Sequence, residues 1–187
     1  AMSATQIKAI ETDDVAAMGT NQIRALTSAN VAALTTDQIS NMTSDQVAAL
    51  SNSQVQALST SQVARLSSDQ VKALTTSQVA ALSASQVKAL DTEDVAAMGT
   101  TQIAALSSGN VAALSTAQVA GMKTEQVAAL SSTQVKALST SQVAVLSTSA
   151  MHNMSTTNLA ALTTAQLQAL TTANMAQLTT TQLEKMS

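Results

Sequence analysis

No cysteine occurs among the 187 residues, which excludes a disulfide framework and any thiolate metal site and leaves packing and hydrogen bonds to hold the fold. Phe, Tyr and Trp are absent as well, so the chain lacks the ring anchors that, with Arg, dominate binding hot spots. There is no Pro and there are only four Gly, so turns of the usual Gly, Asn and Pro kind are scarce. Charge is sparse: eight basic and eleven acidic residues make up 10% of the chain and leave a net charge of −3. That balance gives no electrostatic footprint for nucleic acid or for an anionic membrane surface. The longest apolar runs, such as VAVL at 143 to 146, are four residues long, far short of the roughly 20 needed to span a bilayer. No signal peptide is visible, and the opening AM reads as a cloning scar at residues 1–2, ahead of a single array at 3–187.

What the chain does contain is aliphatic and periodic. Stepping by eight from Ser3 divides it into 23 units that end at Met186 without insertion or deletion. The fifth residue of every unit is Val, Ile, Leu or Met, and the eighth is Leu, Met or Ile. The first is Ser or Thr in 18 units, with Glu11, Gly19, Asp91, Gly99 and Lys123 as the exceptions. The fourth is Gln in 16 units, with Asp14, Asn30, Asp94, Asn110, Ala150, Asn158 and Asn174 in the others. Ser or Thr followed three residues later by Gln is a capping box, in which the hydroxyl accepts from the N3 amide and the Gln side chain returns to the N-cap amide.

One continuous helix does not fit this pattern. Eight residues at 100° each advance two turns plus 80°, so an apolar stripe would circle the helix within about five units, and supercoiling accommodates 3.5 or 3.67 residues per turn rather than 4.0. Flat strands fit no better, because apolar spacings of three and five are both odd and would point to opposite faces. Ala, Gln, Leu, Lys and Met between the caps favour helix. Each unit therefore predicts a helix of about six or seven residues. In the phrase STSQVARLSSDQVKAL at 59 to 74, the caps are Ser59 with Gln62 and Ser67 with Gln70, and the core residues are Val63, Leu66, Val71 and Leu74.

The sixth position alternates. It is Ala in all eleven units beginning at Glu11, Thr27, Thr43 and every second unit after, whereas Lys8, Arg24, Lys72, Lys88 and others occupy the intervening units. That alternation predicts an all-α fold, an α-solenoid of very short helices with two octads, and so two helices, per coil, Ala64 marking a crowded helix and Lys72 a solvent-facing one. A longer echo links ETDDVAAMGTNQI at 11 with DTEDVAAMGTTQI at 91, ten octads on. Repeats stacked in this way draw stability from their neighbours, so stability rises with array length.

Residues that could carry chemistry are few. His152 is the only His, and a metal centre needs further ligands. Asp13, Asp14, Glu93 and Asp94 stand where a helix dipole favours negative charge, and no D-x-D-x-D-G loop accompanies them. The Ser and Thr residues have neither base nor orienting partner for nucleophilic catalysis. The eight Met residues after Met2 all occupy fifth or eighth positions and read as core. Gly19, Gly99, Gly109 and Gly121 form no phosphate-binding loop. The expectation is no catalytic, cofactor-binding or metal-binding residue, and so not an enzyme.

The phrase L-[ST]-[ST]-x-Q-[VIL]-x-A-L, as in LSTSQVARLSSDQVKAL and LTTAQLQAL, resembles the octapeptide arrays of very large repetitive bacterial surface or secreted proteins, often labelled haem-utilisation or adhesion proteins. The resemblance implies an extracellular or cell-surface spacer or stalk whose partners are neighbouring repeats of a longer chain. The unit also looks like the helix start LTPEQVVAI of plant-pathogen DNA-reading repeats, but without its Pro, its second helix or a basic stripe, so nucleic acid is not expected as a partner, nor is membrane insertion. Two alternatives to the spacer are a solenoid surface that binds protein or glycan, and an ice- or mineral-binding array of Thr60, Thr76, Thr92, Thr140 and Thr156, interrupted in its column by Ala4, Asn52 and Ala84. Apolar ends without polar capping repeats suggest end-to-end or homo-oligomeric association.

Overall fold

A computed structural model describes residues 2–186. Every octad forms one short helix, giving 23 helices and no strand among the described residues. Most run from the second to the seventh residue of the unit, as in Ser44–Ala49, Ser68–Ala73 and Thr92–Ala97. The amide of the fifth residue bonds the carbonyl of the first, Val71 to Ser67 at 2.9 Å, and the amide of the eighth closes on the carbonyl of the fifth, Leu74 to Val71 at 3.2 Å.

Extended residues make the corner between helices. Leu74 has φ −57° and ψ 134°, and Thr75 has φ −70° and ψ 158°, so two ordinary L-residues in the polyproline and β regions turn the chain. No described residue adopts a positive φ, which explains how the corners manage with almost no Gly and no Pro. At the same time Thr75 caps the next helix, its hydroxyl accepting from the Gln78 amide at 3.2 Å.

The stacking corrects the coil predicted from the sequence. Each helix packs on the helix three units away: Ser68–Ala73 lies between Ser44–Ala49 and Thr92–Ala97, and the same offset holds along the array. A coil is therefore three helices and three octads rather than two of each, and the α-solenoid is triangular in section. Twenty-three units make about seven and two-thirds coils, which at 8 to 10 Å per packed helix layer gives a rod of roughly 60 to 75 Å, shorter than a two-helix coil would produce.

The alternation at the sixth position has a different cause from the one expected. Ala64 and Lys72 are both exposed, so neither marks a crowded helix. In a three-helix coil the sixth residues of stacked helices are three octads apart, which places Lys72 between Ala48 and Ala96 and Lys88 between Ala64 and Ala112. Each long side chain is thus flanked by methyl groups, with room for its aliphatic stem.

The fifth and eighth side chains fill the interior. Val63, Val71, Val79 and Val87 are fully buried, and Leu66, Leu74, Leu82 and Leu90 nearly so, in one continuous core that runs from Ile7 to Leu178. A side of about six helical residues is only some 9 Å long, so each layer takes six aliphatic side chains and leaves little room for rings. Gly121 shows how close adjacent layers come, since a β-carbon there would lie 2.5 Å from Thr92 Cγ2.

Candidate functional site

The distinctive chemistry of the molecule lies at the corners, on the fourth residue of each unit. Gln62 completes the expected box: the Ser59 amide donates to its Oε1 at 2.7 Å, and its own amide donates to Ser59 Oγ at 3.2 Å. Ser67 and Gln70 repeat this at 2.8 and 3.2 Å. A capping glutamine on a lone helix would be solvated, yet Gln62 and Gln70 are each only 2% exposed.

Their burial has a second purpose. Gln62 Nε2 donates to the carbonyls of Val31 at 3.0 Å and Leu34 at 2.8 Å, 31 and 28 residues back. Gln70 Nε2 does the same to Ile39 at 3.0 Å and Met42 at 2.6 Å. One primary amide thereby caps the start of its own helix and the end of a helix in the coil beneath, satisfying both the orphan amides and the orphan carbonyls that helix termini leave. Stepping by three octads, these amides form three ladders, one along each corner of the triangle.

Twenty eighth-position carbonyls, from Met2 to Met154, have a fourth-position residue 28 places ahead of them. Eighteen receive its side-chain amide: Gln at fourteen, and Asn at Met2, Leu82, Leu130 and Leu146. Asn is one methylene shorter and reaches only the eighth-position carbonyl, as Asn110 does to Leu82 at 3.0 Å. The two exceptions are Leu66, which faces Asp94, and Met122, which faces Ala150. At the first, Asp94 is buried, accepts from Ser68 Oγ at 2.8 Å and from the Asp91 amide at 3.3 Å, and borders an open groove of about 510 Å³ with Leu66, Ser67 and Thr92. Burial pushes its carboxyl above the ordinary range, against the lowering effect of those two hydrogen bonds.

The remaining candidates are scattered. Asp13, Asp14 and Glu93 are exposed in first turns, so of the acidic residues singled out only Asp94 is buried. His152 is exposed and places Nδ1 2.9 Å from the Gln177 carbonyl. Among the described residues no three His, Asp or Glu side chains are grouped to hold a metal ion, and no helix is long and apolar enough to cross a membrane. The three-helix coil spreads the Thr column over all three sides: Thr60 and Thr156 share one side, Thr92 and Thr140 another, and Thr76 lies on the third.

No curated protein matches the sequence. A family described as the ALTTAQ repeat matches in eight overlapping stretches, 7–44, 39–76, 47–84, 64–92, 87–124, 111–148, 119–156 and 151–180, which together span residues 7 to 180. The matches step along the octads that build the corners, and the chain belongs to the ALTTAQ repeat family.

Proposed function

We propose that this repeat-built helical module is an elongated spacer or stalk in a large bacterial surface or secreted adhesin-like protein, holding other parts of that protein at a distance and carrying out no chemistry itself. The observation that carries the reading is the corner ladder. Each coil supplies the donors that complete the coil before it, so the module extends by adding identical layers and its natural partners are neighbouring repeats of the same chain. The core is uniform in the same way, with Val at the fifth position and Leu at the eighth through most of its length. A chain without cysteine also suits passage across membranes in an unfolded state, free of disulfide traps. The resemblance to octapeptide arrays of surface proteins supports the extracellular location.

Small-angle scattering on chains shortened or lengthened by three octads tests the spacer. The maximum dimension should change by roughly 8 to 10 Å per coil at constant cross-section. A dimension that fails to follow coil number would overturn the reading. Selective retention of one host protein or glycan from a panel would replace it with the binding surface.

A further inference from the structure

We propose that the junction between Leu66 and Asp94 is a proton-operated latch, loose while the carboxylate is ionised and closed when Asp94 takes up a proton and donates it in a hydrogen bond to the Leu66 carbonyl.

The ladder supplies the geometry. The eighth-position carbonyl needs a donor from the fourth residue 28 places on, and amide side chains provide it at eighteen of the twenty junctions. An ionised aspartate only accepts. Asp94 is 4% exposed, so its charge lies in a poorly solvated corner beside a carbonyl oxygen that is itself negative in partial charge, with neither positioned to satisfy the other. The groove of about 510 Å³ along Leu66, Ser67 and Asp94 lies on this junction.

Protonation reverses the mismatch. A neutral aspartic acid has nearly the shape of asparagine, with an O–H where asparagine has an N–H. Asparagine in this position reaches the eighth-position carbonyl, as Asn158 does to Leu130 at 2.6 Å and Asn174 to Leu146 at 3.0 Å. Ser132 Oγ also donates to Asn158 Oδ1 at 3.0 Å, matching the Ser68 contact to Asp94. The protonated side chain can therefore keep its Ser68 and Asp91 donors and add the missing bond below.

Two of the neighbouring charges favour the same direction: Asp91, the N-cap of its own helix, and Glu93 repel the carboxylate. The helix beneath carries Asp69 and Lys72, the corner beneath carries Arg65, and the preceding helix of the chain carries Lys88; all four are exposed. Arg65 approaches Asp37 at 4.0 Å. The helix above, Thr116–Gly121, has no charged residue, and Lys123 beyond it is exposed. Because the folded state raises the affinity of Asp94 for its proton, the latch contributes fully below the ordinary aspartate range and is lost as pH rises through the elevated folded value.

Hydrogen exchange on the whole chain, with rates corrected for the pH dependence of the chemical step, reads the junction directly. Amides from Leu66 to Gln70 should lose several-fold in protection from pH 3, below the ordinary aspartate range, to pH 7, relative to Met42 to Gln46 one coil below. Asp94→Asn, which keeps a donor at every pH, should remain protected throughout. Asp94→Ala, which has neither donor nor charge, should be weakly protected and flat. The latch is refuted if wild type follows Asp94→Asn across the range, because ionisation then costs nothing. It is equally refuted if wild type matches Asp94→Ala at pH 3, because the protonated acid then makes no bond.

Discussion

Gln62 Nε2 donates to the Leu34 carbonyl at 2.8 Å, across 28 residues of sequence and one coil of structure. The same side chain accepts from the Ser59 amide at 2.7 Å, so a single residue ties one helix start to one helix end. Secondary structure and coil stacking are therefore coupled: a helix that frays at its N-terminus also releases the coil below.

Replacing Gln70 tests that coupling. Gln70→Ala strips the side-chain donor from the Met42 carbonyl and the acceptor from the Ser67 amide, and with about 1 to 3 kcal/mol for each unsatisfied group the loss should be about 2 to 6 kcal/mol in urea unfolding. Gln70→Asn retains a bond to Met42, as Asn110 does to Leu82, and should lose only about 1 kcal/mol. Gln70→Glu preserves the capping acceptor but not the donor. At pH 7 it should be at least as damaging as Gln70→Ala, with part of the loss recovered in acid.

The converse experiment is Ala150→Gln. No side-chain amide reaches the Met122 carbonyl, because Ala150 occupies the ladder position above it. Glutamine fits this register in the two layers beneath on the same corner, at Gln126 and Gln102. Restoring the bond should stabilise the chain by about 1 kcal/mol, and calorimetry should show the melting temperature rise by about 2 to 4 °C for a chain of this size.

Ser59→Ala isolates the cap from the ladder. It removes the hydroxyl that accepts from the Gln62 amide at 3.2 Å but leaves Gln62 Nε2 on Val31 and Leu34. The expected cost is about 1 kcal/mol by chemical denaturation, the usual value of an N-cap. Ser59→Thr should be neutral, since Thr75 caps in the same geometry. A cost for Ser59→Ala as large as that of Gln70→Ala would mean that the cap and the inter-coil bond cannot be separated.

Much of this architecture was legible in the residues because it is local. The hydroxyl at position one, the Gln at position four and the apolar pair at five and eight specify a capped two-turn helix by spacing alone, and Val63, Leu66, Val71 and Leu74 are buried as that spacing requires. The number of helices per coil is not local. The two-octad period at the sixth position was the rhythm that pointed to a coil, and it reflects which side chains stack three octads apart, Lys72 between Ala48 and Ala96, rather than the length of a turn. The ladder did leave a signal. A capping box accepts Glu as readily as Gln, yet no fourth position holds Glu, and twenty of 23 hold Gln or Asn. A position that needs only an acceptor has no reason to exclude carboxylates so strongly. The preference for a primary amide shows that a donor is required too, although the identity of the acceptor depends on the coil.

A chain without native cysteine allows the coil to be measured by paired spin labels on introduced ones. Labels replacing Lys72 and Ala96 sit on exposed or half-buried sixth positions of directly stacked helices, so their backbone attachment points should lie near the 8 to 10 Å of packed helix axes. Their spectra should show strong dipolar broadening. Labels replacing Lys72 and Lys88 are only two octads apart in sequence but belong to different sides of the triangle, and should interact more weakly. A two-helix coil makes the opposite prediction, since Lys72 and Lys88 would then stack and Lys72 and Ala96 would not. The sign of that difference, with Ala96 closer to Lys72 than Lys88 is, distinguishes a three-octad turn from a two-octad one without reference to handedness or curvature.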